Sequence, residues 1–182
     1  MGKADQGTAL AAGRYLVIPR TLCFITHGEE VLLLRGAPDK PIWPNRYNGV
    51  GGHVEREEDV YSAALREIRE ETGMAVADLR LRGIVNVAHD PEGPGVILFI
   101  FTAQALGREV KPSAEGTPVW VRRDRLDELD LVEDLPILLP RVLAMSPQAP
   151  PFFGHYTYDD NDRLVVRLSP KAINNTGEGG RR

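Results

Sequence analysis

Three glutamates, Glu67, Glu70 and Glu71, stand at i, i+3 and i+4 in the stretch Gly51–Met74 (GGHVEREEDVYSAALREIREETGM), with Glu58 and Arg66 just upstream. On a helix this spacing stacks three negative charges on neighbouring turns, and like-charge pairs of this kind cost a few tenths of a kcal/mol each. Arg66 offsets part of that cost at i+4 to Glu70, but one arginine does not neutralise three acids. The simplest missing partner is a hard divalent cation. Mg²⁺ takes carboxylate oxygens and fills its other positions with water and substrate phosphates. The competing reading is a solvated charged face laced by Arg–Glu pairs.

Helical phase separates the two readings. With Asp59–Thr72 on a helix at about 100° per residue and Val60 at zero, Tyr61, Ala64, Leu65, Ile68 and Thr72 fall between about 40° and 140° and form the expected core face. Arg66, Arg69 and Ser62 lie opposite. Glu71 lands at about 20°, inside the apolar arc that runs from Val60 at zero to Leu65, while Glu67 falls about 20° outside it and Glu70 about 80° outside. A carboxylate on the core side is costly unless something positive meets it. Gly73 ends the helix as a C′ residue.

The elements that must hold this helix are read from the rest of the chain. At 182 residues, with 42% hydrophobic and 26% charged residues, the chain has the size and balance of one globular domain. A net charge of −4 disfavours a dedicated duplex-DNA binder. The one cysteine, Cys23, excludes an internal disulfide and a cysteine-based zinc site, and reads as an inert core thiol. No apolar run reaches the roughly 18 residues of a membrane span. Residues 1–13 and 171–182 read as polar or small-residue tails around a domain at 14–170. Tyr15–Thr26 and Glu30–Arg35 form an expected hairpin, Gly36–Arg46 a proline-rich loop, and Leu79–His89 with Gly95–Gln104 a strand pair. Val119–Val121 is a short strand that contains Trp120, itself a core candidate. Leu135–Met145 is a helix that tolerates Pro136 in its first turn. Phe153–Tyr158 and Arg163–Leu168 form a last hairpin. The class is α+β, with mixed sheets layered between helices.

The residues Gly52, Glu58, Arg66, Glu67, Ile68, Glu70, Glu71, Gly73 and Met74 fit the Nudix box without a departure. Seven of these positions are strict, so a chance match is on the order of 10⁻⁸ per starting point at about 7% usage for a common residue. The chain therefore resembles the Nudix hydrolases, which cleave the pyrophosphate of a nucleoside diphosphate linked to another group with the help of Mg²⁺ or Mn²⁺. The resemblance implies a Nudix fold with mixed β-sheets sandwiched between α-helices. It implies that Glu67, Glu70 and Glu71 bind metal and supply the base, that Glu58 is an indirect or third ligand, and that Arg66 holds a glutamate in place. It also implies that the loop at Gly51 and Gly52 offers a metal-facing carbonyl.

Likeness extends from about Tyr15 to Leu168 and favours the MutT-type subgroup, which includes the animal oxidised-purine nucleoside triphosphatases. The run Arg46-Tyr47-Asn48-Gly49 resembles their approach to the box, where the asparagine hydrogen-bonds a purine. Asn-Gly is also one of the commonest turn signals. Glu115, shortly before Pro118 and Trp120, resembles a loop acid that faces the metals; an exposed acid beside Gly116 is the plainer reading. Glu133 and Asp134 resemble an acidic pair at the base pocket, and as acids at a helix start they also suit the dipole. Those enzymes carry a tryptophan just before the pair. Val132 stands there here, leaving Trp43 or Tyr47 to wall the base. The hairpin Phe153-Gly154-His155-Tyr156 resembles the one that closes those enzymes, with His155 as a strand residue.

The expected activity is metal-dependent hydrolysis of a nucleoside triphosphate to the monophosphate and pyrophosphate, oxidised purine nucleotides included. The alternatives are ADP-ribose, a dinucleotide or a dinucleoside polyphosphate as substrate, or a nucleotide-binding module without turnover. The partner is a small nucleotide rather than a nucleic-acid polymer or a membrane, in a cytoplasmic monomer or homodimer.

Overall fold

The computed structural model describes residues 14–90 and 93–169. The tails expected at 1–13 and 171–182 lie outside the described residues. In chain order the elements are β1 (Val17–His27), β2 (Glu30–Gly36), β3 (Tyr47–Asn48), α1 (Val60–Thr72), β4 (Val76–Val87), β5 (Gly95–Ala105), β6 (Gly116–Arg122), α2 (Leu135–Leu143), β7 (Phe152–Tyr158) and β8 (Leu164–Ser169). A 3₁₀ helix, Arg123–Glu128, links β6 to α2. It was not expected from sequence, and neither was the two-residue β3; β6 is longer than the Val119–Val121 strand anticipated.

All eight strands join one hydrogen-bonded sheet in the order β3-β2-β1-β5-β4-β7-β8, with β6 also on β2. The β1–β5 and β4–β7 pairs are parallel and the rest antiparallel. Because side chains alternate along a strand, each strand feeds two cores. Leu22 and Phe24 of β1 and Val31 and Leu33 of β2 enter one cluster with Leu135, Leu138, Leu139 and Val142 of α2. Cys23, Ile25 and Leu32 enter the other with Ala64 and Ile68 of α1. The two helices thus cover opposite faces, giving the expected α/β/α layering.

Between β1 and β2 the sheet opens into a wedge, and this positions the site. The two strands pair only at Ile25–His27 against Glu30–Leu32. Beyond that point Tyr47 and Asn48 take over the freed edge of β2, opposite Arg35 and Leu34. The chain then crosses to β1: the Cys23 and Thr21 N–H groups donate to the Val50 and Gly52 carbonyls at 2.6 and 2.8 Å. Only glycine fits at Gly51, whose φ is +150° and where a Cβ would stand 2.2 Å from the Thr21 carbonyl oxygen.

Helix α1 begins at Asp59, whose carboxylate accepts the Tyr61 and Ser62 N–H groups. It ends at Gly73, left-handed at φ 71°, which donates to the Arg69 carbonyl. Its buried face differs from the sequence expectation. Ala63, Ala64, Ile68, Glu71 and Thr72 are buried, whereas Tyr61 is 49% and Leu65 37% exposed. The helix is rolled toward Glu67 because the wedge segment packs on that side and draws in the Glu67 carboxylate, against which a Cβ at Gly52 would collide at 2.4 Å. Trp120 is half-buried against the α1-side cluster, its indole N–H donating to the Arg108 carbonyl. The roll has a measurable consequence. Ile68→Ala is expected to cost about 2–5 kcal/mol in urea unfolding, whereas Leu65→Ala should stay within about 0.5 kcal/mol. Equal losses would mean that the phase drawn from sequence is the right one.

Candidate active site

The acids of α1 and its entry loop meet in a groove also lined by Gly51, Gly52, His53 and Glu115. Arg66 organises two of them, Glu67 and Glu70, together with Glu58 behind the groove. Its Nε and Nη2 donate to Glu58 at 3.1 and 2.7 Å, and its Nη1 donates to Glu67 at 2.9 Å and Glu70 at 3.0 Å. Nη2 also donates to the His53 carbonyl, tying the helix to the loop. Glu58 further accepts the Glu55 N–H, and its carboxyl is held below the usual carboxylate range, chiefly by Arg66. Among the described residues no three acid, histidine or cysteine side chains are gathered in a metal-ligating group. Arg66 sits among the acids instead.

Glu71 is the acid that Arg66 does not reach. It is 5% exposed, and its Oε2 accepts the Gly51 N–H at 2.9 Å. Burial pushes its carboxyl up to about 7; the Gly51 N–H holds it down in part, while Glu67 and Glu115 raise it further. A buried carboxylate facing two other acids, with Lys40 near but no ion pair of its own among the described residues, suits a site that receives positive charge. The donor set is all oxygen, as a hard divalent cation requires. The Val50 and Gly52 carbonyls are taken by β1, whereas no backbone N–H of the described residues donates to the Gly51 carbonyl. Beneath these acids the Cys23 thiol is fully buried and held neutral by burial, with Glu71 and Glu67 adding to the effect, so it is inert. Glu115 reaches the groove through an ion pair with Lys40 at 2.5 Å, which fixes the proline-rich loop against β6.

A second cavity lies on the α2 side, lined by Trp43, Asn48, Glu133, Asp134 and Tyr156 among others. Its volume of about 160 Å³ far exceeds the roughly 10–15 Å³ that one water needs on the same measure. Asn48 Oδ1 accepts the Gly49 N–H at 2.8 Å, but Asn48 ends strand β3 and no Asn-Gly turn forms; Asn48 lines the cavity, and its amide NH₂ makes no hydrogen bond among the described residues. Asp134 occupies the N-cap position of α2, yet its side chain makes no capping bond. Burial instead pushes its carboxyl up to about 6, and Glu133 adds to the rise. Glu133 is exposed, 3.9 Å from Arg46. The Tyr156 hydroxyl is buried with no hydrogen-bond partner among the described residues. Trp43, at the cavity mouth, holds a left-handed φ of 55° that is costly for a bulky residue.

Tyr47 does not join this lining. Its side chain packs against the α2-side core, and its backbone pairs with Asp130 and Val132. Of the two aromatics expected to wall the cavity, Trp43 is the one that borders it. His155 is an exposed β7 residue, as expected. Sequence reasoning missed Lys40, Arg20 and the Tyr156 hydroxyl. Arg20 carried a readable signal: it shares a strand face with Leu22 and Phe24, an arginine in an apolar row.

The raised carboxyl of Asp134 makes stability depend on pH. The folded state binds the proton more tightly than the unfolded chain, so this contribution is full below about pH 4 and lost as pH rises through about 6. Asp134→Asn is expected to stabilise the protein at pH 8 by roughly 1–3 kcal/mol and to change little at pH 4. Urea midpoints at the two pH values check this; an equal effect at both would assign the shift to packing rather than charge.

Comparison with known proteins agrees with this geometry. The family model described as the NUDIX domain matches residues 18–142. The chain is 28% identical over 145 residues to an oxidized purine nucleoside triphosphate hydrolase of Mus musculus, covering 80% of this chain and 89% of that protein. It is 32% identical over 113 residues to the NAD-capped RNA hydrolase NudC of Pseudomonas aeruginosa, covering 61% of this chain but only 38% of that one. The crystal structure of a mutator MutT protein from Bacillus halodurans superposes with a TM-score of 0.71 at 26% identity, over 85% of this chain and 99% of the other. With the box on α1, the wedge that carries its glycines and a family match over most of the chain, this protein belongs to the NUDIX domain family of hydrolases.

Proposed function

We propose that this protein hydrolyses a purine nucleoside triphosphate to the monophosphate and pyrophosphate, in a reaction that depends on Mg²⁺ or Mn²⁺, and that oxidised purines are among its substrates. One observation carries the reading. A cavity with polar groups suited to a base edge abuts the acidic groove, so one ligand with a base at one end and phosphates at the other spans both. The relatedness to an oxidized purine nucleoside triphosphate hydrolase supports the same assignment.

Glu67, Glu70 and Glu71, with Glu58 and the Gly51 carbonyl, are the oxygens that would hold the cation. Bound there, the metal supplies charge neutralisation on phosphate oxygens and an activated water. The chain's own residues do the positioning. Arg66 fixes Glu58, Glu67 and Glu70 relative to the loop. Glu71 is fixed by the Gly51 N–H. The proton of the attacking water passes to one of these acids, acting as the general base. Glu115 flanks the groove and is held by Lys40. At the other end the Asn48 amide offers a donor, and the Asp134 carboxyl offers an acceptor or, when protonated, a donor. Trp43 gives the base an aromatic neighbour.

The test is a panel with Mg²⁺ and with chelator: dGTP, its 8-oxo form, the other triphosphates, ADP-ribose, NADH and diadenosine polyphosphates, with products separated by chromatography. Release of pyrophosphate from a purine triphosphate, abolished by chelator, is the expected result. Preference for ADP-ribose or a dinucleotide would keep the metal chemistry and sink the base assignment, and turnover of nothing would leave a binding module. Glu71→Gln should lower kcat/KM by at least about 10–100-fold while the chain stays folded. Asn48→Ala should raise KM for purine triphosphates about tenfold, the worth of one hydrogen bond, and leave ADP-ribose unaffected.

A further inference from the structure

The base cavity and the acidic groove meet at one side chain. Arg20 of β1 borders the cavity, the groove and the space under the proline-rich loop, and Gly51 is the one other residue common to all three. Its backbone is pinned on both sides, facing Leu98 of β5 and bridged to His53. Arg20 as a residue is half-buried, and among the described residues its guanidinium makes no hydrogen bond and no ion pair. It stays unpaired although Glu67, Glu70, Glu71 and Glu115 line the same groove. The protein's other cations around the site behave differently: Arg66, Lys40 and Arg46 are all committed to carboxylates.

An arginine that pairs with none of the acids around it, where a base-binding and a phosphate-processing compartment adjoin, has the chemistry of a phosphate ligand. Its planar fork matches two phosphate oxygens, and partial exclusion of water strengthens the contact. The geometry points to Arg20 as the residue that binds the phosphate attached directly to the nucleoside. This inference rests on the proposed function, because it takes the ligand to run from the cavity to the groove. Arg20 then sets where the phosphate chain enters among the acids, and neutralises charge at the junction between the monophosphate and the pyrophosphate.

The experiment separates this role from a wall residue and does not need turnover. Affinities for guanosine and for GMP are measured by calorimetry in chelator, for the full chain and for Arg20→Gln and Arg20→Lys. GMP is expected to bind the unaltered chain at least about tenfold tighter than guanosine. Arg20→Gln should remove most of that difference and leave guanosine within about twofold, while Arg20→Lys keeps part of it. Thermal midpoints of the variants should match the parent, since no protein partner is orphaned. Equal weakening of both ligands, or unchanged GMP binding, would overturn the inference while leaving the function reading intact. A parent chain that binds neither ligand would overturn both.

Discussion

One partly buried hydrogen bond, from the Gly51 N–H to the Glu71 carboxylate, joins the two halves of the molecule that matter. Glu71 lies on the inner face of α1, where an ion is costly, and Gly51 lies on the segment that fills the wedge between β1 and β2. Seen from the helix, the bond is a partial remedy for a charge in the wrong place. Seen from the loop, it fixes a backbone that only glycine can follow. The roll of α1, the close approach of Glu67 to Gly52 and the exposure of Tyr61 and Leu65 are all adjustments to that contact. A carboxylate that raises the cost of folding is retained because the same position faces the groove.

Arg66 complements this arrangement by being unable to finish it. Its donors span Glu58, Glu67, Glu70 and the His53 carbonyl, which exhausts the fork and leaves Glu71 and Glu115 outside its reach. Arg66 therefore holds Glu58, Glu67 and Glu70 in place, and the inner end of the groove, at Glu71, stays acidic. Preorganised acids of this kind need little rearrangement when charge arrives, and that is where electrostatic catalysis gains most.

The sequence carried the helix and its acids clearly, because the box is local: its strict positions sit on one helix and the turn before it. The hairpins were legible for the same reason, since alternation and turn residues lie within a few positions of each other. What escaped was anything decided by distant contact. The phase of α1 was misjudged because apolar side chains were counted as the face, whereas the wedge segment decided which side is covered. Tyr47 and Trp43 were interchangeable on paper; strand pairing of Tyr47 with Arg35 turns its ring to the core and leaves Trp43 at the cavity. Lys40 finds Glu115 across two loops, and no spacing rule links them. The 3₁₀ helix Arg123–Glu128 hides in a run of alternating charges with only Leu126 apolar.

The parallel pairing of β1 with β5 bears on how the molecule comes together. Thr26 and Ala103, hydrogen-bonded across these strands, are 77 positions apart. The β1–β2 hairpin closes a short loop and forms on the microsecond scale, whereas the β1–β5 register must wait for a much larger closure. Arg20, Thr21 and Leu22 belong to that register, so the passage between cavity and groove exists only once this long-range strand pairing has closed. Until then the acids of α1 repel one another on a helix with little to rest against. Nascent and partly unfolded chains consequently lack a working site, and activity reports the completion of the sheet rather than the presence of the helix.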